Sequence, residues 1–359
     1  MKVKKKPRLK NNFTQTDPML LSRLFAAFLI CYLPVSAAAQ TGVKSRIFVG
    51  FYNCENLFDT LDDPGKQDEE FTPSGKYRYT SRIYRQKLAN IAAVIRSMNS
   101  GDGPAVLGMA EVENNNVLND LVHEPALAGT NYKYAWFRGP DPRGINVALL
   151  YNASVFRVLQ ARPVPVDISR TAGKAETRDI LYVSGILYGD TVHLFVNHWP
   201  SRRGGEDESG PKRAIAAHTV KDAISRVATQ RRGANIIVMG DFNDNPADAS
   251  LITVLSASCT PGGVAGIDLY NPFCAMHSKG EGTEVYRHQW NLFDQVIVSG
   301  SLLSSRPGKL HYDRAEIHKP SFIIDTYKGH EGEPHRSFKG TKWINGYSDH
   351  FPVGIYLRK

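Results

Sequence analysis

The chain has 359 residues and a formal charge of +9, with 42% hydrophobic and 22% charged residues. This composition excludes a disordered, collagenous or coiled-coil protein. The length suffices to bury a sizeable core, as one large domain or two ordinary ones.

The first residues read as a leader. Lys2, Lys4, Lys5, Lys6, Arg8 and Lys10 form a basic head; Leu20–Val35 is mostly apolar apart from Ser22 and Arg23; Ala37-Ala38-Ala39 follows. That order is a secretory signal peptide over residues 1–39, cleaved before Gln40, and it points to a secreted or periplasmic protein. Met19 is an alternative start, and Cys31 follows Ile30 where a lipoprotein requires a small residue. The apolar run after Arg23 is short for a bilayer span, so no permanent membrane anchor is expected. The leader holds seven positive charges and one negative, Asp17, so the remaining chain carries +3. Bulk charge therefore gives no argument for nucleic acid.

Cys54, Cys259 and Cys274 remain after cleavage. An odd number without a Cys-x-x-Cys pair argues against a thiolate zinc site. In an oxidising compartment Cys259 and Cys274 can bridge. Cys54, beside an apolar strand, reads as a buried thiol.

Along the chain, Ile47–Asn53 reads as a buried strand and 60–80 as a long polar loop. Tyr84, Leu88, Ile91, Ile95 and Met98 recur at spacings of four and three, which predicts a helix over 81–99, capped by Thr80 or Ser81. Ala105–Ala110 is a strand, followed by a polar helix over 114–123. Ile145–Tyr151, 155–160, 178–188 and 191–197 read as strands. Ala216, Val220, Ala223 and Val227 mark a second long helix. Ile236–Met239 is a strand, 247–256 a short helix, and 285–286, 293–299 and 353–357 further strands. The segment 305–346 is long and poor in apolar residues, which marks a functional or mobile loop. It holds Tyr327, His330, His335, Arg336, Lys339 and Lys342. No repeat or linker divides the chain, so a single domain is expected over 40–359. Strands outnumber helices without strict alternation, so the fold class is α/β (α+β), a sandwich of mixed sheets.

Five segments share one arrangement, an apolar run ending in acids, amides or histidines. They are Phe51-Tyr52-Asn53-Cys54-Glu55-Asn56, Leu107 to Asn114, Phe195-Val196-Asn197-His198-Trp199-Pro200-Ser201, Val238-Met239-Gly240-Asp241-Phe242-Asn243-Asp244 and Tyr347-Ser348-Asp349-His350-Phe351-Pro352. A sheet gathers strand ends at one edge, so these groups can converge on one pocket. Carboxylate, amide and imidazole suit a hard divalent cation: magnesium or manganese, with calcium also allowed. Each segment alone has an ordinary reading. Asp-Phe-Asn-Asp suits a turn, and Glu111 or Glu113 suits a helix N-terminus. Arg202 and Arg203, near Glu206, Asp207 and Glu208, suit a solvated cluster or a phosphate grip, and Arg143 a surface turn or a phosphate contact. Tyr77 and Tyr79 could stack on bases. Tyr84, Trp136 and Trp290 suit core or sheet surface.

Taken in order, the five segments resemble the endonuclease/exonuclease/phosphatase superfamily, whose best-known member is pancreatic deoxyribonuclease. Gly-Asp-Phe-Asn and Ser-Asp-His-Phe-Pro are the most specific marks. Tyr-Asn-Cys-Glu-Asn-Leu-Phe and Asn-His-Trp-Pro-Ser-Arg-Arg-Gly-Gly look like a secreted bacterial branch. The resemblance implies a four-layer sandwich of two packed mixed β-sheets flanked by helices. It implies metal binding by Glu111, with Asp349 and Asp241 as further ligands. It implies catalytic roles for His350, for Asp294 paired with it, for Asp241 and Asn243, and for His198. Asn53, Asn243 and Arg178 would bind substrate; Arg202, read from its own loop, is a further substrate-binding candidate. The function implied is a metal-dependent phosphodiesterase, a nuclease acting on DNA or RNA; the protein is expected to be a monomer. The alternatives are a phosphatase or a phospholipid phosphodiesterase (sphingomyelinase or phosphoinositide type), and an inactive binding protein of the same fold.

Overall fold

The structure is a computed structural model that describes residues 46–172, 176–231 and 233–359. The leader expected over 1–39 lies outside the described residues. The chain opens with β1 (Ile47–Leu57), α1 (Ser81–Ser97), β2 (Val106–Val112), α2 (Asn115–Val122), β3 (Tyr132–Trp136) and β4 (Asn146–Asn152). It continues through β5 (Phe156–Val164), α3 (Ser169–Ala172), β6 (Ile180–Leu187), β7 (Asp190–His198), α4 (Glu206–Gln230) and β8 (Asn235–Asp241). Short strands β9 (Ala257–Ser258) and β10 (Leu269–Tyr270), α5 (Cys274–His277), and a hairpin of β11 (Glu284–Tyr286) and β12 (Gln289–Asn291) follow. The chain closes with β13 (Asp294–Ser299), β14 (His311–Ile317), a second hairpin of β15 (Phe338–Lys339) and β16 (Lys342–Trp343), and β17 (Val353–Arg358).

Two mixed sheets result. One has six strands in the order β14-β17-β1-β2-β4-β3, the other seven in the order β5-β6-β7-β8-β13-β10-β9. β1 runs parallel to β2, and β7 parallel to β8. Side chains alternate between faces along each strand. Val49 and Phe51 of β1 point between the sheets, into a core shared with Leu194, Val196, Met239 and Val296 of the other sheet. Phe48 and Tyr52 point the other way, onto Leu88, Ile91 and Ile95 of α1. On the far sheet, Phe195, Ile236 and Val238 point outward onto Ala216, Val220 and Val227 of α4. The order of layers is helix, sheet, sheet, helix, which is the expected four-layer sandwich. Among the described residues, no helix is long and apolar enough to cross a membrane.

Cys259 and Cys274 are bonded, with Cα atoms 5.4 Å apart. Cys54 is a free, buried thiol, and burial pushes its pKa up.

Several elements differ from expectation. The segment 305–346 is not one loop: residues 311–317 form β14, an edge strand paired with β17. Its residues are half-buried throughout, so it shows no apolar alternation to read. β3, β9, β10 and the β15–β16 hairpin also fall outside the expected elements. Of these, β9, β10, β15 and β16 are only two residues long each, too short to show a period. Asn114 caps α2, accepting from the Val117 amide at 3.0 Å, so Glu111 is not the cap. Tyr79 is fully buried, and Tyr77 stacks on Phe71 at 4.7 Å. Neither is placed to stack on a base.

Candidate active site

Strand register builds the site. In the second sheet Asp241 is paired with Asp294 on one side and with His198 on the other. Three polar side chains thus stand in one row across β13, β8 and β7. Gly240 permits this crowding, since a Cβ there would lie 2.5 Å from the Asn197 carbonyl oxygen.

The first sheet supplies the facing groups through broken ladders. The β1–β2 register shifts between Asn53 and Leu57, and the β2–β4 register between Met109 and Val112. Such irregularities re-aim side chains at strand ends. Glu55, Asn56, Glu111 and Asn243 all adopt positive φ, between 49° and 60°. Non-glycine residues hold this conformation at a cost of about 1–3 kcal/mol, and such strain clusters at functional sites. The Asn56 amide donates to Glu111 Oε2 at 2.8 Å. The Asn53 side chain donates Nδ2–H to Asp241 Oδ2 at 3.0 Å, and the Asn243 amide donates to Asp241 Oδ1 at 2.9 Å.

The C-terminal Ser-Asp-His turn docks on β1. Ser348 Oγ donates to the Asn53 carbonyl at 2.7 Å and accepts from the His350 amide at 3.1 Å. His350 donates Nδ1–H to Asp294 Oδ2 at 2.7 Å. His198 Nε2 lies 3.6 Å from Asp241 Oδ2 and 4.0 Å from Glu111 Oε1. The structure therefore gathers Asn53, Glu111, His198, Asp241, Asn243, Asp294 and His350 in one site. Asp349 sits at its rim, 30% exposed at the side chain, with Oδ1 3.9 Å from His350 Nε2.

The two histidines are pushed apart. Burial would lower the His350 pKa, but the Asp294 carboxylate against it wins and holds it well above the usual histidine value. Burial and the Arg178 guanidinium hold His198 well below that value. Opposite shifts of this kind separate a charged from a neutral partner. Burial and the nearby Asp294 push Asp241 up to about 7.

Two residues have tasks other than the phosphate contact expected of them. Arg178 is buried, and each of its nitrogens is committed: to Asp141 at 3.2 Å, to the His198 carbonyl at 3.1 Å, and to the Trp199 carbonyl. It positions the His198 turn and offers substrate no open fork. Arg202 binds the Asn243 carbonyl, Glu206, Asp244 and Asp248, at 2.6–3.0 Å. It braces the Asn243 turn against α4. Arg143 pairs with Asp141 at 3.4 Å. Glu113 accepts from the Asp59 amide at 2.6 Å and so holds the following loop.

Sequence reasoning assigned no role to Ser348, Asp141, Glu55 or Lys87. The last is fully buried on α1, 3.9 Å from Glu55. A lysine within the helical stripe beside Leu88 was the available signal.

The donor set suits a divalent ion. Glu111 Oε1 and the buried Asp294 Oδ1 have no hydrogen-bond partner among the described residues. Asp241, Asp294 and His350 have ligand atoms within 4.8 Å of one another. Buried carboxylates so placed repel one another, and a cation relieves that repulsion. Because Asp294 and His350 engage each other, Glu111 and Asp241 are the residues that would hold the ion, with Asp349 at the rim.

A family model described as Endonuclease/Exonuclease/phosphatase family matches residues 48–359. The chain belongs to that family. Its members are phosphoester hydrolases, mostly dependent on divalent metals. The fold is similar to that of truncated Caenorhabditis elegans TDP2, with TM-score 0.53 and 16% identity, covering 88% of this chain and 98% of that one. It is similar to the mannosyl-6-phosphatase of Bacteroides thetaiotaomicron, with TM-score 0.54 and 16% identity, covering 87% and 100%. It is also similar to D. rerio TDP2 complexed with a single-strand DNA product, with TM-score 0.52 and 14% identity, covering 88% and 100%. No curated protein sequence matches the chain.

Proposed function

We propose that the protein is a metal-dependent phosphodiesterase of the nuclease type, exported through its leader to an oxidising compartment. The observation that carries the reading is the junction of Asn53 with Asp241 and of Asp294 with His350, which brings distant strand ends onto one scissile group. The Cys259–Cys274 bond supports the compartment.

In the proposed reaction water adds to phosphorus, and the bond from phosphorus to the leaving oxygen breaks. Asp241, fixed by Asn53 and the Asn243 amide, aligns the water and takes its proton. The Nδ1–H of His350 is committed to Asp294, so Nε2 is the atom that hands a proton to the leaving oxygen. His198, with Nε2 facing Asp241 and Glu111, hydrogen-bonds a phosphoryl oxygen. A divalent ion on Glu111 and Asp241, when bound, supplies charge stabilisation on the phosphoryl group.

A panel of bis-p-nitrophenyl phosphate, DNA, RNA, phosphomonoesters, phosphoinositides and sphingomyelin, with magnesium and with chelator, tests this. Magnesium-dependent cleavage of diesters and nucleic acid is expected. Turnover of monoesters alone replaces the reading with a phosphatase, which the likeness to the mannosyl-6-phosphatase favours. No metal binding and no turnover leaves a binding protein.

A further inference from the structure

The two short hairpins, β11–β12 and β15–β16, pair with neither large sheet. With the 325–334 turn they enclose a cavity of about 890 Å³, within the range of about 300–1,000 Å³ for sites that enclose a ligand. Asp349 lines the cavity and lies 3.9 Å from His350 Nε2. The cavity therefore adjoins the histidine of the site. The Phe351 amide donates to the Thr283 carbonyl at 2.8 Å, which ties the β11 wall to the same turn.

The lining carries cations to spare. Arg287, Lys328, Lys339 and Lys342 line it, and none has a carboxylate within 4.0 Å among the described residues. Three of the four lining acids are engaged, and the fourth, Asp349, has Arg336 at 3.9 Å. Asp325 accepts from the Tyr327 amide at 2.7 Å, Glu333 pairs with His330 at 2.9 Å, and Glu284 accepts from Asn291 at 2.9 Å. Two tyrosines are exposed: Tyr327 at 58%, and Tyr286 at 60% with the Arg287 guanidinium 5.2 Å over its ring.

The wall is anchored to the core. Lys87 donates to Ser337 Oγ and to the Tyr347 carbonyl. Glu55 accepts from the Ser337 amide at 2.6 Å, and Asn90 donates to the Gly346 carbonyl at 2.7 Å. A Cβ on Gly346 would collide with the Arg336 carbonyl oxygen, so the backbone packs on itself there.

We propose that this cavity is a second phosphate subsite, which takes the nucleotide unit adjoining the scissile phosphate. The proposal deepens the phosphodiesterase reading and rests on it. The phosphate is held by Lys339 and Lys342, and the base stacks on Tyr327. Stacking on a ring inside a cavity requires an unpaired base, so the ligand is a single strand or a free nucleotide, not a duplex.

The test uses the full chain, the variant Lys339→Glu/Lys342→Glu, and the variant Tyr327→Ala. The substrates are bis-p-nitrophenyl phosphate, too small to fill the cavity, and a single-stranded oligonucleotide. Both variants should raise KM for the oligonucleotide about tenfold or more, and leave turnover of the small diester within about twofold. Competition by adenosine monophosphate against the oligonucleotide that weakens in both variants assigns the cavity to free nucleotides; an oligonucleotide effect without that competition assigns it to strands. An unchanged oligonucleotide KM in both variants, with no competition, overturns the subsite. If the wild type turns over no diester, the phosphodiesterase reading fails separately. Anisotropy of a labelled oligonucleotide on wild type and variants then decides the subsite alone, and equal binding sinks it.

Discussion

Asn53 and Asp241 are 188 positions apart and sit on different sheets, yet the amide of one donates to the carboxylate of the other at 3.0 Å. This bond joins the two halves of the sandwich at the reacting end. In the proposed reaction, its loss leaves Asp241 held by the Asn243 amide alone. Asn53→Ala is expected to lower kcat by about 10²-fold, the scale for one lost oriented donor. The far-ultraviolet circular dichroism should not change. Equal kcat in the two proteins would refute the alignment role.

Asp294 fixes the tautomer of His350. Asp294→Asn keeps the shape but lets the ring turn its other nitrogen to substrate. A fall in kcat of about 10²–10⁴-fold is expected, with a shifted pH profile. An unaltered profile would show that Asp294 has only a packing role.

Glu111 turns one oxygen to Asn56 and leaves the other open. Glu111→Gln should weaken magnesium binding in a calorimetric titration, and chelator should inactivate the wild type reversibly. The same binding curve for variant and wild type would remove Glu111 from the ligand set.

His193 lies outside the site, with Nδ1 2.8 Å from the Tyr182 hydroxyl. Burial, aided by Arg231, lowers its pKa. The unfolded chain therefore binds a proton that the folded chain refuses, and stability falls as pH drops below about 6.5. His193→Gln should lose less stability between about pH 7.5 and about pH 5 in urea melts. An identical loss in both proteins would contradict the assignment.

The Cys259–Cys274 bond spans a separation of 15 residues. A loop of that length restricts the unfolded chain by about 3 kcal/mol. The double serine variant should unfold at lower urea by a corresponding margin. No difference between oxidised and reduced protein would show that the bond does not close in solution.

The strand ends were legible in the sequence because each joins an apolar run to an acid, amide or histidine. Asp241, Asp294 and His198 could be read as residues, but their row could not, since pairing register is a tertiary property. The broken ladders at Asn53 and Glu111 carry no composition signal: the left-handed conformations there fall on glutamate and asparagine, not on glycine. Arg178 and Arg202 show the limit in the other direction. Their type suggested phosphate, and only the positions of Asp141, Asp244 and the nearby carbonyls revealed that they hold the scaffold. β14 escaped because an edge strand half-covered on both faces has no period to detect.

The hairpins around the cavity belong to neither large sheet. Their tips lie outside the strand pairs that align Asp294, Asp241 and His198. A lineage built on this architecture can thus vary the rim of the site at those tips while inheriting its strand pairing whole.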